Sequence, residues 1–549
     1  MAQAFSHRGS ARGCMLGFVG LCVLYACSSN ESPGEPGSSG GVAGVAGGEA
    51  GAWSGSGGAH AGDTGLEAGE KGVAGAPGSL GGASAQAGAG AAGAGAPNNL
   101  SGGAGGDAST TSGGATTTSG GAPTESGGAP LGGDAGAPSS QVIDPCRGTP
   151  ASGFVPAGFC AVQVGSVPGA RQITFSSNGD LWVTSAQGGI FRLRDTNQNG
   201  SFEAAEIVEW ANTGGNGQNS HIDEVGGYLY AGSKAGVHRW AWSSELNAGG
   251  AGESVVRGQP AGGGHAKHTT HVWDGYLYVM SASDENVSNE NPDPAQYDVS
   301  RSHVRRFKLA DFKPADAFDW LEDGEIFAVG LRNVLGFDRD AQGRIYGVVN
   351  GIDNLIYQGV DIHNNNPAEV IARLSAGSKH GFPFCFAAEQ VAGVAPGTQL
   401  AHETYPNNPH DNAWCQANAD KPVSFVPSHS APMDIHFFTT PSNVLPARWK
   451  NGAFVSLHGS WNRSPRVGKK VVWVPFNANG TSPMPTVSGD ITSFPYEVVY
   501  GESGDLVSAG LNAPREGFRP VGIAVSPVDG ALYISSDSDN VIYRVGLKP

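Results

Sequence analysis

Six times the chain sets a turn ahead of a short apolar strand, and this recurrence restricts its fold more than any other feature. The segments are GDLWVTSAQGGIFRL from Gly179, GGYLYAGSKAGVHRW from Gly226, DGYLYVMSAS from Asp274, QGRIYGVVNGIDNLIY from Gln342, NGAFVSLHGSW from Asn451 and DGALYISSDSDNVIYRV from Asp529. The last nearly copies the first. Leu, Tyr, Val and Ile at period two behind Asp-Gly or Asn-Gly turns are hairpin signals, and no long stretch carries helical periodicity. The turn glycines at 179, 227, 275, 343, 452 and 530 lie 48, 48, 68, 109 and 78 residues apart. The pattern predicts an all-β fold, a six-bladed β-propeller whose longer intervals are loops on one face. A pair of β-sandwiches, or seven blades with one unrecognised, are the alternatives.

The innermost strands of a propeller line a central channel, so polar residues just ahead of each apolar run should converge on the axis. Here these are Arg171-Gln172, Gln218-Asn219-Ser220-His221, His265 with His268, Arg332-Asn333, His429-Ser430 and Arg519. Histidine, arginine and amides around one axis suit an anionic, oxygen-rich ligand. The plainer reading is that they cap loops and satisfy strand ends.

Ahead of the repeats the composition changes. Of 87 glycines in 549 residues, 36 fall in residues 28–140. About one-third glycine without a three-residue period, mixed with Ala, Ser, Thr and Pro, cannot bury enough apolar surface to offset chain entropy. The segment reads as a disordered tether, leaving residues 141–549 for the propeller. The net charge of −17 divides as −8 on the tether, −11 on the folded part and +2 on residues 1–27. An acidic body argues against nucleic acid or anionic lipid as the main partner.

Arg8 and Arg12 precede an apolar stretch from Cys14 to Ala26, too short for a permanent bilayer span. It ends Leu24-Tyr25-Ala26-Cys27, which resembles a bacterial lipobox. Residues 1–27 would then be a lipoprotein signal peptide and Cys27 the lipidated N-terminus of an exported protein. Dual acylation anchors firmly, and a flexible tether of this length reaches about 60 Å. Ser28 is not the Asp that tends to hold such proteins in the inner membrane, so the outer membrane is expected, facing periplasm or cell surface. Cys146, Cys160, Cys385 and Cys415 remain beyond the signal. Proximity pairs Cys146 with Cys160 and Cys385 with Cys415, in keeping with an oxidising compartment; no pair has the Cys-x-x-Cys spacing of zinc ligands.

Residues 195–206 read DTNQNGSFEAAE. Oxygen side chains at positions 1, 3, 5 and 12 with Gly at 6 meet the twelve-residue calcium pattern, since a hard cation takes six to eight oxygens and the Gly permits a sharp turn. Asp195, Asn197, Asn199 and Glu206 would be the side-chain ligands of a structural site. An Asn/Gly-rich hairpin end without metal is the other reading.

The repeats and their polar preludes resemble the glucose/sorbosone dehydrogenase family, soluble quinoproteins that use pyrroloquinoline quinone. The carrying motifs are GLRN at 330–333, NGIDNL at 350–355, HGFPFC at 380–385, HSAP at 429–432, HGSWNR at 458–463 and RPVGIAVSP at 519–527. The resemblance runs from about Pro168 to the C-terminus. It implies a six-bladed propeller that oxidises an aldose or related sugar, with the quinone and Ca²⁺ bound over the channel mouth and an electron acceptor that the sequence does not identify.

Residue by residue, the resemblance implies His265 of Gly263-Gly264-His265 as general base and Arg332 as the arginine stabilising oxygen anion on the cofactor. Asn333, Gln218 and Arg519 match cofactor contacts, and His268 falls where sorbosone-type members often carry Arg. Gly351 and Ile352 match carbonyl ligands of the cofactor's calcium. A lysine of the glucose branch is missing from HGSWNR, where Arg463 or Trp461 would substitute. Two other function classes stay open: a non-catalytic propeller binding carbohydrate or protein at the cell surface, and a calcium-dependent lactonase, against which the abundance of axial Arg and His weighs.

Overall fold

Strands that are apolar on both faces must be covered on both, and the structure does this by setting six twisted sheets around one axis. It is a computed structural model describing residues 144–549 except 215–219, 235, 266–267, 440–441, 487–493 and 505–516. The proposed signal, its Cys27, the tether and Gln218 lie outside the described residues. Each predicted repeat supplies the second strand of one sheet: Leu181–Ser185, Tyr228–Ser233, Tyr276–Ser281, Ile345–Val349, Gly452–Leu457 and Leu532–Ser536. The sheets are called blades I to VI in that order. Their inner strands are Ala170–Phe175, Asp223–Val225, Thr270–Trp273, Val334–Arg339, Pro432–Phe437 and Pro520–Val525. This is the six-bladed β-propeller expected from the repeats.

Alternate residues of the second strands face opposite neighbours. Leu277 and Val279 enter the apolar cluster shared with blade II, whereas Tyr278 and Met280 enter the one shared with blade IV. Trp182 packs edge-on to Trp210 and Trp242 between blades I and II. Six such clusters fill the six gaps between neighbouring blades. Burial on both faces explains why these strands read as nearly continuous apolar runs.

The ring closes by joining the two ends of the domain. Phe159–Ser166 pairs antiparallel with Val541–Leu547, so blade VI takes its outer strand from the N-terminal side. The Cys146–Cys160 disulfide fastens that strand, and Cys385–Cys415 ties the long insertion between the third and fourth strands of blade IV to its own helix Asn412–Asn418. Both predicted pairings are present. Near the axis, inner strands approach so closely that two need glycine: a Cβ on Gly522 would sit 2.7 Å from Arg171 O, and one on Gly336 would strike the Asp434 backbone. One repeat differs from expectation. Gly452 is not a left-handed turn residue; its φ of −173° is extended and it begins the strand, after a 3₁₀ turn over Ala447–Asn451.

The loop at 195–206 joins the third and fourth strands of blade I, at its outer edge. Asp195 accepts the amides of Asn199 and Gly200 at 3.0 and 2.7 Å. Glu206 accepts the Thr196 amide at 2.8 Å and hydroxyl at 2.6 Å, and the Glu203 amide at 3.2 Å. Burial works to raise the Glu206 pKa, but these bonds outweigh it and bring it to about 2. The carboxylates thus hold the loop's own backbone, while Asn197 and Asn199 accept the amides of Asn199 and Ser201.

Candidate active site

An apolar plug divides the axis. Leu335, Met433 and Val521 meet there as a small cluster. Gln172 reaches across to donate to the carbonyls of Leu335 and Met433 at 2.9 and 3.0 Å, and Thr269 donates to Leu335 at 3.0 Å. The polar residues expected to converge therefore fall into two groups: Arg171, His265, Arg332, Asn333, His429 and Arg519 gather where the inner strands begin, and His221 lies beyond the plug.

On the upper side the centre of charge is Asp353. Arg332 Nη2 donates to its carboxylate at 3.2 Å and His429 Nδ1 approaches it at 3.4 Å; Asn462 Nδ2 donates at 3.1 Å. Burial alone would raise the Asp353 pKa, but the bond from His429 and the charge of Arg332 draw it below the usual carboxylate range. Arg332 also donates to the Asn286 carbonyl at 3.0 Å and side chain at 2.9 Å, and Asn286 Oδ1 accepts the Asp353 amide. Arg332 is 6% exposed and its guanidinium is held by three bonds, so its orientation is fixed before any ligand arrives. His429 and Ala431 both take left-handed φ, 59° and 53°, an uncommon choice outside glycine that here turns the histidine ring towards Asp353.

The HGSWNR segment continues this network around the mouth. Arg463 donates to Ser428 O at 2.8 Å and Asn365 Oδ1 at 3.2 Å, above the buried Glu389. Arg519 donates to His458 Nδ1 at 2.8 Å; His458 Nε2 meets Asp537 at 2.9 Å, and Asp537 also pairs with Arg171. Burial drives the His458 pKa down to about 4, leaving a neutral ring between two charged partners. Four buried polar atoms here lack a protein partner: Asn333 Oδ1, Ser430 Oγ, Asn462 Oδ1 and Arg463 Nε. Unsatisfied groups of this kind are rare unless a ligand or water uses them.

His265 joins the same wall through Ser283. Its Nδ1 lies 3.0 Å from Ser283 Oγ, whose hydroxyl donates to Glu285 O at 2.8 Å, while the Ser283 amide donates to Arg332 O at 2.8 Å. With the serine proton committed to Glu285, Ser283 Oγ accepts from His265 Nδ1–H, which puts the imidazole lone pair on Nε2.

The structure thus brings together His265, Arg332, Asn333, Arg463 and Arg519. His268 stands apart. It is 1% exposed, its Nδ1 bonds Ser233 O at 2.7 Å, and burial lowers its pKa to about 4. Gly351 donates its amide to the buried Glu369 at 2.7 Å, and Ile352 packs with Leu355 and Phe382. Burial raises the Glu369 pKa to about 7. Asp195, Asn197, Asn199 and Glu206 belong to the blade I edge and not to this network. Sequence reasoning missed Asn286, Glu369 and Asp537. Glu369 opens a strand-forming run, Asp537 lies in the turn after one, and Asn286 lies in a long polar loop, so none carried a local signal.

A family model described as TrAA12-like matches residues 155–548. A pyrroloquinoline quinone-dependent pyranose dehydrogenase of Coprinopsis cinerea is 29% identical over 299 residues, covering 51% of this chain; the match spans only 39% of that relative's length. A pyrroloquinoline quinone-dependent sugar dehydrogenase of Hypocrea jecorina is 26% identical over 395 residues, 68% of this chain and 84% of its own. Among solved structures, the holo form of the pyranose dehydrogenase quinone domain from Coprinopsis cinerea superposes with a TM-score of 0.61 at 26% identity. That match covers 73% of this chain and 99% of the domain.

Proposed function

The chain belongs to the TrAA12-like family, and from that premise we propose that it is a sugar dehydrogenase using pyrroloquinoline quinone, with a pyranose as substrate. The observation that carries the reading is the junction of His265, Ser283 and Arg332: Ser283 holds His265 Nδ1 through its hydroxyl and the Arg332 main chain through its amide, which ties the imidazole and the arginine to one turn at the channel mouth. The residues fit a planar tricarboxylate. Arg332, Arg463 and Arg519 supply positive charge, and the unsatisfied atoms of Asn333, Ser430, Asn462 and Arg463 supply hydrogen-bonding capacity. Asn350 to Asp353 offers carbonyls and a carboxylate, a hard-oxygen set that suits Ca²⁺.

When bound, the quinone supplies an electrophilic carbon that accepts hydride from the sugar. The protein's own contribution is proton transfer and charge. His265 Nε2 takes the proton of the anomeric hydroxyl while Ser283 holds the ring's other nitrogen. Arg332, locked by Asp353 and Asn286, opposes negative charge developing on oxygen without having to reorganise. Asp353 keeps that arginine from collapsing elsewhere, and Asn462 and His429 keep Asp353 in place.

A panel of aldopyranoses assayed by dye reduction tests the reading. Turnover is expected only after loading with the quinone and Ca²⁺, and at least one pyranose should support it. Quinone binding without reduction by any sugar would remove the dehydrogenase assignment.

A further inference from the structure

Two arginines of the mouth are held by different chemistry. Arg332 is bound to a carboxylate, that of Asp353. Arg519 meets an imidazole: its Nη2 donates to His458 Nδ1 at 2.8 Å and its Nε to His458 O at 3.3 Å, so the guanidinium grips one residue by ring and main chain. The far nitrogen of that ring, Nε2, meets Asp537 at 2.9 Å, and Asp537 pairs in turn with Arg171. This chain of contacts crosses three blades. His458 follows the second strand of blade V, Arg519 and Asp537 stand at the two ends of the first hairpin of blade VI, and Arg171 lies in the inner strand of blade I. The main chain is anchored as well: the His458 amide donates to Ala431 O at 3.0 Å, the Arg519 amide to Ser536 Oγ at 2.9 Å and the Asp537 amide to Arg519 O at 3.3 Å.

The partners fix the tautomer. A guanidinium has five donors and no acceptor, so the nitrogen facing Arg519 must offer a lone pair. The ring proton then sits on Nε2, where Asp537 accepts it. A second proton on Nδ1 would set donor against donor. Burial and the charges of Arg519 and Arg171 keep that proton off, and together they outweigh Asp537, which favours it. Burial works to raise the Asp537 pKa, but the bond from His458 and the two arginine charges carry it far below the usual carboxylate range, so the acceptor stays ionised.

We propose that His458 is a positioning residue of the mouth: it touches no ligand itself, but by presenting the Nδ1 lone pair in the one tautomer that Asp537 permits, it aims Arg519 at a carboxylate of the anion bound there. Naming that anion rests on the quinone reading, whereas the aim of Arg519 does not. Two amide variants separate the roles of the two ring nitrogens. Asn at 458 puts its side-chain oxygen where Nδ1 lies and reaches no further; Gln puts its amide where Nε2 lies and leaves Arg519 without its acceptor.

The test is calorimetric titration of pyrroloquinoline quinone, with Ca²⁺ present, into the full chain and its His458→Asn and His458→Gln variants, together with nitrogen NMR of the unloaded wild type. His458→Asn should hold quinone affinity within about threefold of wild type and His458→Gln should weaken it about 10-fold, the effect of one hydrogen bond to a charged group. At neutral pH the His458 signal, assigned by its loss in His458→Asn, should show a protonated Nε2 and a bare Nδ1. Equal affinities in the two variants, a greater loss in His458→Asn than in His458→Gln, or a protonated Nδ1 would overturn the proposal. Should a variant fail to fold, the wild-type tautomer decides. A wild-type chain that shows this tautomer and takes up no quinone would remove the quinone reading and leave the role of His458 standing.

Discussion

At the scale of single residues, the upper site depends on groups that set the state of other groups. Ser283 is the plainest case: by committing its proton to Glu285 it dictates which nitrogen of His265 carries the lone pair. Ser283→Ala should lower kcat about 10-fold or more through loss of base orientation, with little change in quinone affinity, as steady-state assays and cofactor titration would show. His265 and Arg332 were legible because motifs surround them, GGH and GLRN. Asn286 and Ser283 were not, since a polar loop residue acquires its role only from the partner that folding delivers, and Asn286 meets Asp353 across 67 positions. His268 shows the converse limit: it stands close to His265 in sequence and among the residues expected at the axis, yet burial and its bond to Ser233 O send it into the wall.

At the scale of elements, the repeat pattern exposed nearly everything that is local. All six second strands fall where period-two runs follow turns, because hairpin chemistry is written within a dozen residues. Closure is not local. The pairing of Phe159–Ser166 with Val541–Leu547 joins segments at opposite ends of the domain, and nothing in either strand names the other. The Cys146–Cys160 disulfide secures this closing strand, and its separation of 14 residues places its stabilisation at about 3 kcal/mol by loop entropy. A Cys146→Ser, Cys160→Ser double variant should therefore melt several degrees lower by calorimetry while keeping its strand content. The loop at 195–206 matches a calcium spacing, and in the structure Glu206 accepts the Thr196 amide and hydroxyl.

At the scale of the whole molecule, the propeller buries histidines in numbers that couple stability to pH. Burial holds the pKa of His268, His303, His380 and His402 at about 4, against 6.5 for the free side chain. Between those values the unfolded chain binds protons that the native one refuses, so stability is full above pH 6.5 and falls as pH drops towards 4. His221 and His429, raised despite burial by their carboxylate partners, work in the opposite sense and fade as pH rises. With His458 and His238, which burial also lowers, the lowered set outnumbers the raised pair. Denaturant midpoints should decline from pH 6.5 to 4, and a flat profile would show that these rings are protonated in the folded state.

The axis itself joins the three scales: a plug of three side chains separates an arginine-rich mouth from a histidine–aspartate base. The most direct measurement is turnover of His265→Ala after loading with pyrroloquinoline quinone and Ca²⁺, alongside calorimetric titration of the quinone into both proteins. The predicted result is quinone affinity close to wild type with sugar-dependent dye reduction lowered about 10²- to 10⁴-fold, the range a general base contributes. Turnover equal to wild type, or a wild-type chain that takes up no quinone, would contradict it.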